Sequence, residues 1–321
     1  MLASGRPAVL RGLVGGWPAV ARARESPAAL MRYLGGFDSG RPVDAVMIPP
    51  EAGRRIFYTA GLEGFNYLRN RLALSAVAEQ VLRYAAFPRP PAVAAQSALI
   101  SDCLPGFGQD NRLALLPDSV LPRIWLGNAL ITPTHLDEWA NIACVICGRR
   151  RFTLFPPEQI GNLYVGPLDF APTGAPLSLV ELNAPDFERF PKFRLALAAA
   201  QSAELGPGDA LFIPPLWWHN VESLESVNVL VNYWWHAAGK ADERRNSAFD
   251  CLFHGILSLR DLPPATRRAW GALFEHYVFG DPAEVTGHIP ARRHGMLGRL
   301  SAEDAAKLRA DLAQRLEPGK P

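Results

Sequence analysis

Between residues 98 and 235 the chain is a succession of short apolar runs, PRIWLGN, NIACVIC, RRFTLFPP, GDALFIPPLWWH and VNVLVNYWW, broken by Pro, Gly and Asn. Many short strands with turn formers between them point to a sandwich or a barrel. Because successive side chains along a strand face opposite sides of the sheet, the parity of each polar residue in these runs predicts whether it faces the core.

Helical patterns flank the β region. Ser26 is a suitable N-cap, Pro27 fits the first helical position and Gly35 a C-terminal stop, which brackets AALMRYL. Leu74, Val77, Ala78, Val81, Leu82 and Ala85 recur at helical spacing. A short strand is expected over residues 7–10, and residues 191–203 read as one helix inserted among the strands. After residue 241 the helical pattern returns: Ala269, Trp270, Leu273, Phe274 and Tyr277 make one apolar face ending at Gly280. A last helix runs from about Ala302 to Leu316 behind Ser301, with the tail EPGKP fraying. The expected fold is mainly β with helical decoration, residues 1–240 forming one domain and 241–321 a helical region.

Apolar residues make up 49% of the chain, enough for a sizeable core, and the formal charge of +2 lacks the basic excess that a nucleic-acid backbone demands. The four cysteines, Cys103, Cys144, Cys147 and Cys251, are too few and too irregular for a disulfide framework, which fits a reducing cytoplasm. Arg6 and Arg11 interrupt what would be a leader's apolar part, and no run reaches the ~18 apolar residues of a spanning helix. Neither nucleic acid nor membrane is expected as a partner. Cys144 and Cys147 resemble a redox or zinc pair, but residues three apart on a strand point to opposite faces, so both are expected in the core.

The chemistry concentrates in THLDEWANIACV. If this segment is extended, His135 and Asp137 project to one face, and His219, closing GDALFIPPLWWH, would stand at a strand end. Two histidines and one carboxylate on one face of a metal leave its other positions open for a co-substrate and oxygen. A bare His-x-Asp among seven histidines is also compatible with a polar turn. His236, His254, His276, His288 and His294 have no partner at ligand spacing and are given no role.

The flanking residues add a further argument. TPTHLDEWAN, GRRRFTLFPPE, LGPGDALFIPPLWWHNVESL and VNYWW, in this order and behind the opening RPAVLRGLVGGWPA, resemble the cupin-like branch of the JmjC hydroxylases. That branch includes the asparaginyl hydroxylase acting on hypoxia-inducible factor. The resemblance covers most of residues 6–236. It implies a double-stranded β-helix (jelly roll) holding Fe(II) through His135, Asp137 and His219, with 2-oxoglutarate as co-substrate. It further implies hydroxylation of a protein, peptide or small-molecule substrate, coupled to decarboxylation of 2-oxoglutarate to succinate. The family's distal-carboxylate lysine, fifteen residues after the first histidine, is Arg150 here. A guanidinium can grip a carboxylate through two parallel hydrogen bonds. Parity turns Arg150 to the face opposite Arg149 and Arg151.

Thr132, Asn141 and Asn232 match further co-substrate positions; Trp139, two residues after Asp137, is placed to wall the substrate or to pack under a loop, and Trp217 and Trp218, aromatics of a barrel strand, are expected to pack around the metal. A family tyrosine has no counterpart in PPAVAAQSAL. The resemblance also implies a homodimer through the C-terminal helices. Two other classes fit the residues: a non-catalytic cupin that binds a metal or ligand as sensor or scaffold, and a metal cupin enzyme without co-substrate. For the latter Glu138 would face away from His135.

Overall fold

The alternating runs form two antiparallel sheets. The computed structural model describes residues 4–236 and 248–316. The boundary expected after residue 240 and the EPGKP tail fall outside these residues. The chain divides into two compact units, Met1–Arg245 and Asn246–Pro321. In the first, the strands are β1 (Ala8–Leu10), β2 (Val43–Ile48), β3 (Leu68–Leu72), β4 (Ala92–Leu99), β5 (Pro122–Gly127), β6 (Ile131–His135), β7 (Ala140–Cys147), β8 (Arg150–Phe155), β9 (Gln201–Leu205), β10 (Ala210–Ile213), β11 (Trp218–Ser223) and β12 (Asn228–Trp235).

One sheet has the order β1-β10-β7-β12-β5-β4-β2-β3 and the other β6-β11-β8-β9. From β5 onward the chain passes back and forth between them, which makes a jelly roll of β5–β12 extended by four earlier strands on the larger sheet. Parity sorts the core in two. Ala143, Val145, Leu211, Ile213 and Leu230 meet Phe152, Leu154 and Leu205 of the smaller sheet inside the roll. Ile142, Cys144, Phe212, Val229 and Val231 face the other way, with Val20, Leu30, Leu34, Val77 and Val81 of the helices α1 (Pro18–Glu25), α2 (Pro27–Gly35) and α3 (Leu74–Tyr84) in the same cluster. The Ser26 hydroxyl accepts from the Ala29 amide at 3.0 Å, capping α2 as its sequence suggests.

Before residue 98, β2, β3 and β4 widen the larger sheet. Two expectations change. After the short helices α4 (Ile100–Cys103) and α5 (Phe107–Asp110), the helix expected over residues 191–203 shrinks to α6 (Phe193–Ala198). Gln201–Leu205 is instead β9, because the edge of β8 needs a partner: Ala203 stands opposite Phe152 and Glu204 opposite Arg151. Finally, Cys144 and Cys147 lie opposite Val231 and Val229, on the same face, because a bulge in β7 inserts a residue between them. Both are buried free thiols, as expected of core cysteines, and burial pushes the Cys147 thiol up to about 11.

The second unit holds α7 (Ala248–Leu259), α8 (Pro264–Phe274), α9 (Pro282–Thr286) and α10 (Ala302–Leu316). α8 continues into a π-helical turn, Glu275–Phe279, that ends before Gly280, and Trp270, Leu273 and Tyr277 are exposed. Among the described residues no helix is long and apolar enough to cross a membrane.

The β7–β8 turn sets the register of β8. Gly148 has φ +75, and a Cβ there would come within 2.6 Å of the Val227 carbonyl oxygen and meet the Asn228 side chain. Gly148→Ala therefore combines left-handed strain with overpacking, together costing about 2–5 kcal/mol. A lowered urea midpoint with unchanged slope is the expected result.

Candidate metal centre

β6 and β11 pair, and their register brings the two histidines face to face. His219 lies opposite His135, whereas two residues further along β11 Val221 lies opposite Thr132, three residues back on β6. The extra residue in β6 is a bulge, and it lets Thr132 and His135 line the same cavity although strict alternation would separate them. Asp137 lies just past the end of β6 rather than in it. Its backbone carbonyl accepts from the Leu216 amide at 2.8 Å. Leu216 sits in the turn before β11 with φ +63, a strained conformation that ties the Asp137 loop to the segment leading to His219.

The donor atoms of His135, Asp137 and His219 all lie within 4.8 Å of one another, the one such trio of His, Cys, Asp or Glu among the described residues. The His219 Nε2 is 3.6 Å from Asp137 Oδ2, and the two imidazole rings are 4.2 Å apart. His135 Nδ1 faces the Pro133 carbonyl at 2.8 Å, and His219 Nδ1 faces the Trp217 carbonyl at 3.0 Å. A carbonyl only accepts, so each Nδ1 carries the proton and each Nε2 keeps its lone pair for a metal. Burial and the neighbouring His135 push the His219 pKa down to about 4, so its imidazole is neutral, the ligating form, at neutral pH. The donor set, its tautomers and its one carboxylate fit a divalent ion that leaves positions open.

A cavity of about 400 Å³ adjoins the trio. Arg150 lines it, on the same face of β8 as Phe152, and is buried with its Nε lacking a hydrogen-bond partner among the described residues. Burial pulls its pKa down to about 10, which still leaves a cation at neutral pH. Its neighbours point outward: Arg149 Nε bonds Glu225 at 2.8 Å and Arg151 bonds Glu204 at 2.6 Å. Thr132, Asn141 and Asn232 also line the cavity, and the Asn232 amide donates to Asn141 Oδ1 at 3.2 Å while accepting from Trp125 Nε1 at 2.8 Å. Trp139 is half-buried and is not among the cavity-lining residues. Trp217 and Trp218 are buried and do not line it either, although Trp217 supplies the carbonyl behind His219.

Sequence reasoning missed part of the wall. β4 carries a bulge at Gln96 and Ser97, with Ser97 at φ +48 and its carbonyl bonded by Arg123 at 2.9 Å, and all three residues line the cavity. No local signal in AAQSAL announces that bulge. Tyr67 also lines the cavity, but its hydroxyl is committed to the Pro172 carbonyl at 2.7 Å. Trp234 lines it too and donates to Asp137; counting two residues on from Asn232 would have found it.

A family model described as a cupin-like domain matches residues 1–241. Among curated proteins, HSPB1-associated protein 1 of Homo sapiens is 39% identical over 149 residues, 46% of this chain and 30% of that protein. Lysine-specific demethylase JMJ31 of Arabidopsis thaliana is 34% identical over 114 residues, 35% of this chain and 20% of that one. The chain thus spans 30% or less of the length of these relatives. Among solved structures, the Escherichia coli ribosomal oxygenase YcfD is 14% identical with a TM-score of 0.39, covering 98% of this chain and 64% of that one.

Proposed function

The chain belongs to the cupin-like domain family, and from that premise we propose that it is an Fe(II)- and 2-oxoglutarate-dependent oxygenase of the JmjC type. The observation that carries this reading is the junction of two features in one cavity: the trio His135, Asp137 and His219, and the buried cation of Arg150, whose Nε has no partner among the described residues. His135, Asp137 and His219 would hold the metal. Iron with 2-oxoglutarate supplies oxygen activation, coupled to loss of CO₂ and formation of succinate. Arg150 would bind the distal carboxylate of the co-substrate, since a dicarboxylate is the counter-charge its side chain lacks. Thr132, Asn141 and Asn232 would orient the same molecule through hydrogen bonds. The apolar lining contributed by Ala143, Phe152, Ile213 and Leu230 keeps bulk water from that end of the cavity.

The motifs around the trio, which resemble those of the branch containing the asparaginyl hydroxylase of hypoxia-inducible factor, favour hydroxylation. The relatives named as a protein-associated factor and as a lysine-specific demethylase support a protein substrate. Trp139 would flank the substrate outside the cavity, and the exposed Trp270, Leu273 and Tyr277 would form a homodimer contact. The test is succinate formation from 2-oxoglutarate by the purified protein with Fe(II) and oxygen. Catalytic succinate release is expected; metal and 2-oxoglutarate binding without any succinate would favour a non-catalytic cupin.

A further inference from the structure

We propose that Trp234 is a positioning residue for Asp137, its indole N–H fixing the carboxylate in the orientation from which it ligates. The inference rests on the metal centre proposed above. Asp137 lies past the end of β6, where no strand pairing restrains its side chain. Its backbone is tied to Leu216, but its side chain is 21% exposed and would otherwise rotate or turn to water. Trp234 Nε1 donates to Asp137 Oδ2 at 3.1 Å, the same oxygen that stands 3.6 Å from His219 Nε2. An indole N–H is a donor only and cannot ligate a metal, so its influence on the site passes entirely through that oxygen.

The indole is itself anchored. Trp234 stands on the β12 face that carries Leu230 and Asn232. Its ring meets Trp125 edge-on, centroids 6.0 Å apart at 82°. Trp125 in turn donates to Asn232, and Asn232 to Asn141. The carboxylate is thus held from a rigid sheet position rather than from its own loop. Partners that orient a metal-binding side chain typically change metal affinity ten- to a hundredfold when removed.

The test uses Co(II) as the probe under anaerobic conditions, with affinity read by calorimetry and the ligand field by the visible d–d spectrum. Trp234→Phe keeps an aromatic ring and removes the N–H. It is expected to leave the melting temperature of the metal-free protein near that of wild type, to weaken Co(II) binding about tenfold or more and to alter the d–d bands. Trp234→His, which restores a ring N–H at a different reach, is expected to recover part of the affinity; if Trp234→Phe does not fold, Trp234→His is read against wild type, with weaker Co(II) binding and shifted d–d bands expected and unchanged affinity and spectrum overturning the role. Wild-type Co(II) affinity and spectrum in Trp234→Phe, or no recovery with His over Phe, would overturn the positioning role while leaving the metal centre intact. A wild-type protein that binds no Co(II) would overturn the metal centre itself.

Discussion

Alanine at His135, Asp137 or His219 is expected to abolish stoichiometric binding of Fe(II). The remaining two donors hold a labile ion poorly, and among the described residues no other His, Cys, Asp or Glu stands close enough to complete the set. The three substitutions differ in their structural cost. His219 is 3% exposed, so its removal leaves a void in the roll, whereas His135 and Asp137 are only half-buried. Metal binding and folding are therefore measured together. A ligand at one hundred times its dissociation constant stabilises the protein that binds it by about 2.7 kcal/mol. A metal-dependent rise in melting temperature is expected for wild type and its absence for each variant. Asp137→Ala is the cleanest of the three, since its side chain supports no strand pairing.

Arg150→Ala is expected to raise the 2-oxoglutarate requirement by about a hundredfold or more, with metal binding nearly unchanged. Losing one partner of a desolvated ion pair costs roughly 3–5 kcal/mol, and each 1.4 kcal/mol is about a factor of ten in affinity. Arg150→Lys keeps the charge but not the two parallel hydrogen bonds, so part of the affinity returns. Alanine at Arg149 or Arg151 is expected to do little, because their carboxylate partners are surface pairs worth about 0–1 kcal/mol each. The charge state gives a further check. With its pKa lowered by burial to about 10, the guanidinium stays protonated up to mildly alkaline pH and is lost as pH rises through about 10. Co-substrate affinity is accordingly flat around neutrality and declines on the alkaline side. Isothermal titration of 2-oxoglutarate into the Mn(II)-loaded protein reads all of these effects. A strong effect at Arg149 or Arg151 in place of Arg150 would shift the clamp to a neighbouring residue, and no effect at any of the three would remove the assignment of the co-substrate.

The residues that alternation makes visible are those on regular strand. In RRFTLF, Arg150 shares its parity with Phe152 and Leu154, and the three occupy one face of β8. In VNVLVNYWW, Asn232 shares parity with Leu230 and Trp234. Alternation fails where a bulge adds a residue: Thr132 with His135 on β6, Gln96 with Ser97 on β4, and Cys144 with Cys147 on β7. A bulge is dictated by the partner strand and the closure of the roll, and it leaves little local trace in composition. The helix read into residues 191–203 fails for a related reason, since KFRLALAAAQS has good helix formers throughout and only the unpaired edge of β8 turns its end into β9. The capped ends of α2 and α10 were legible because their signals are local: Ser26 bonds the Ala29 amide and Ser301 the Asp304 amide.

Anaerobic titration of the metal-free protein with Fe(II) and 2-oxoglutarate tests the central claim most directly. Chelation of iron by the keto-acid end of 2-oxoglutarate gives a visible metal-to-ligand charge-transfer band. The band is expected to saturate at one equivalent of each, to be absent in Asp137→Ala, and to need far more 2-oxoglutarate in Arg150→Ala. A wild-type protein that shows no band, or a band undiminished when Asp137 is replaced, would contradict it.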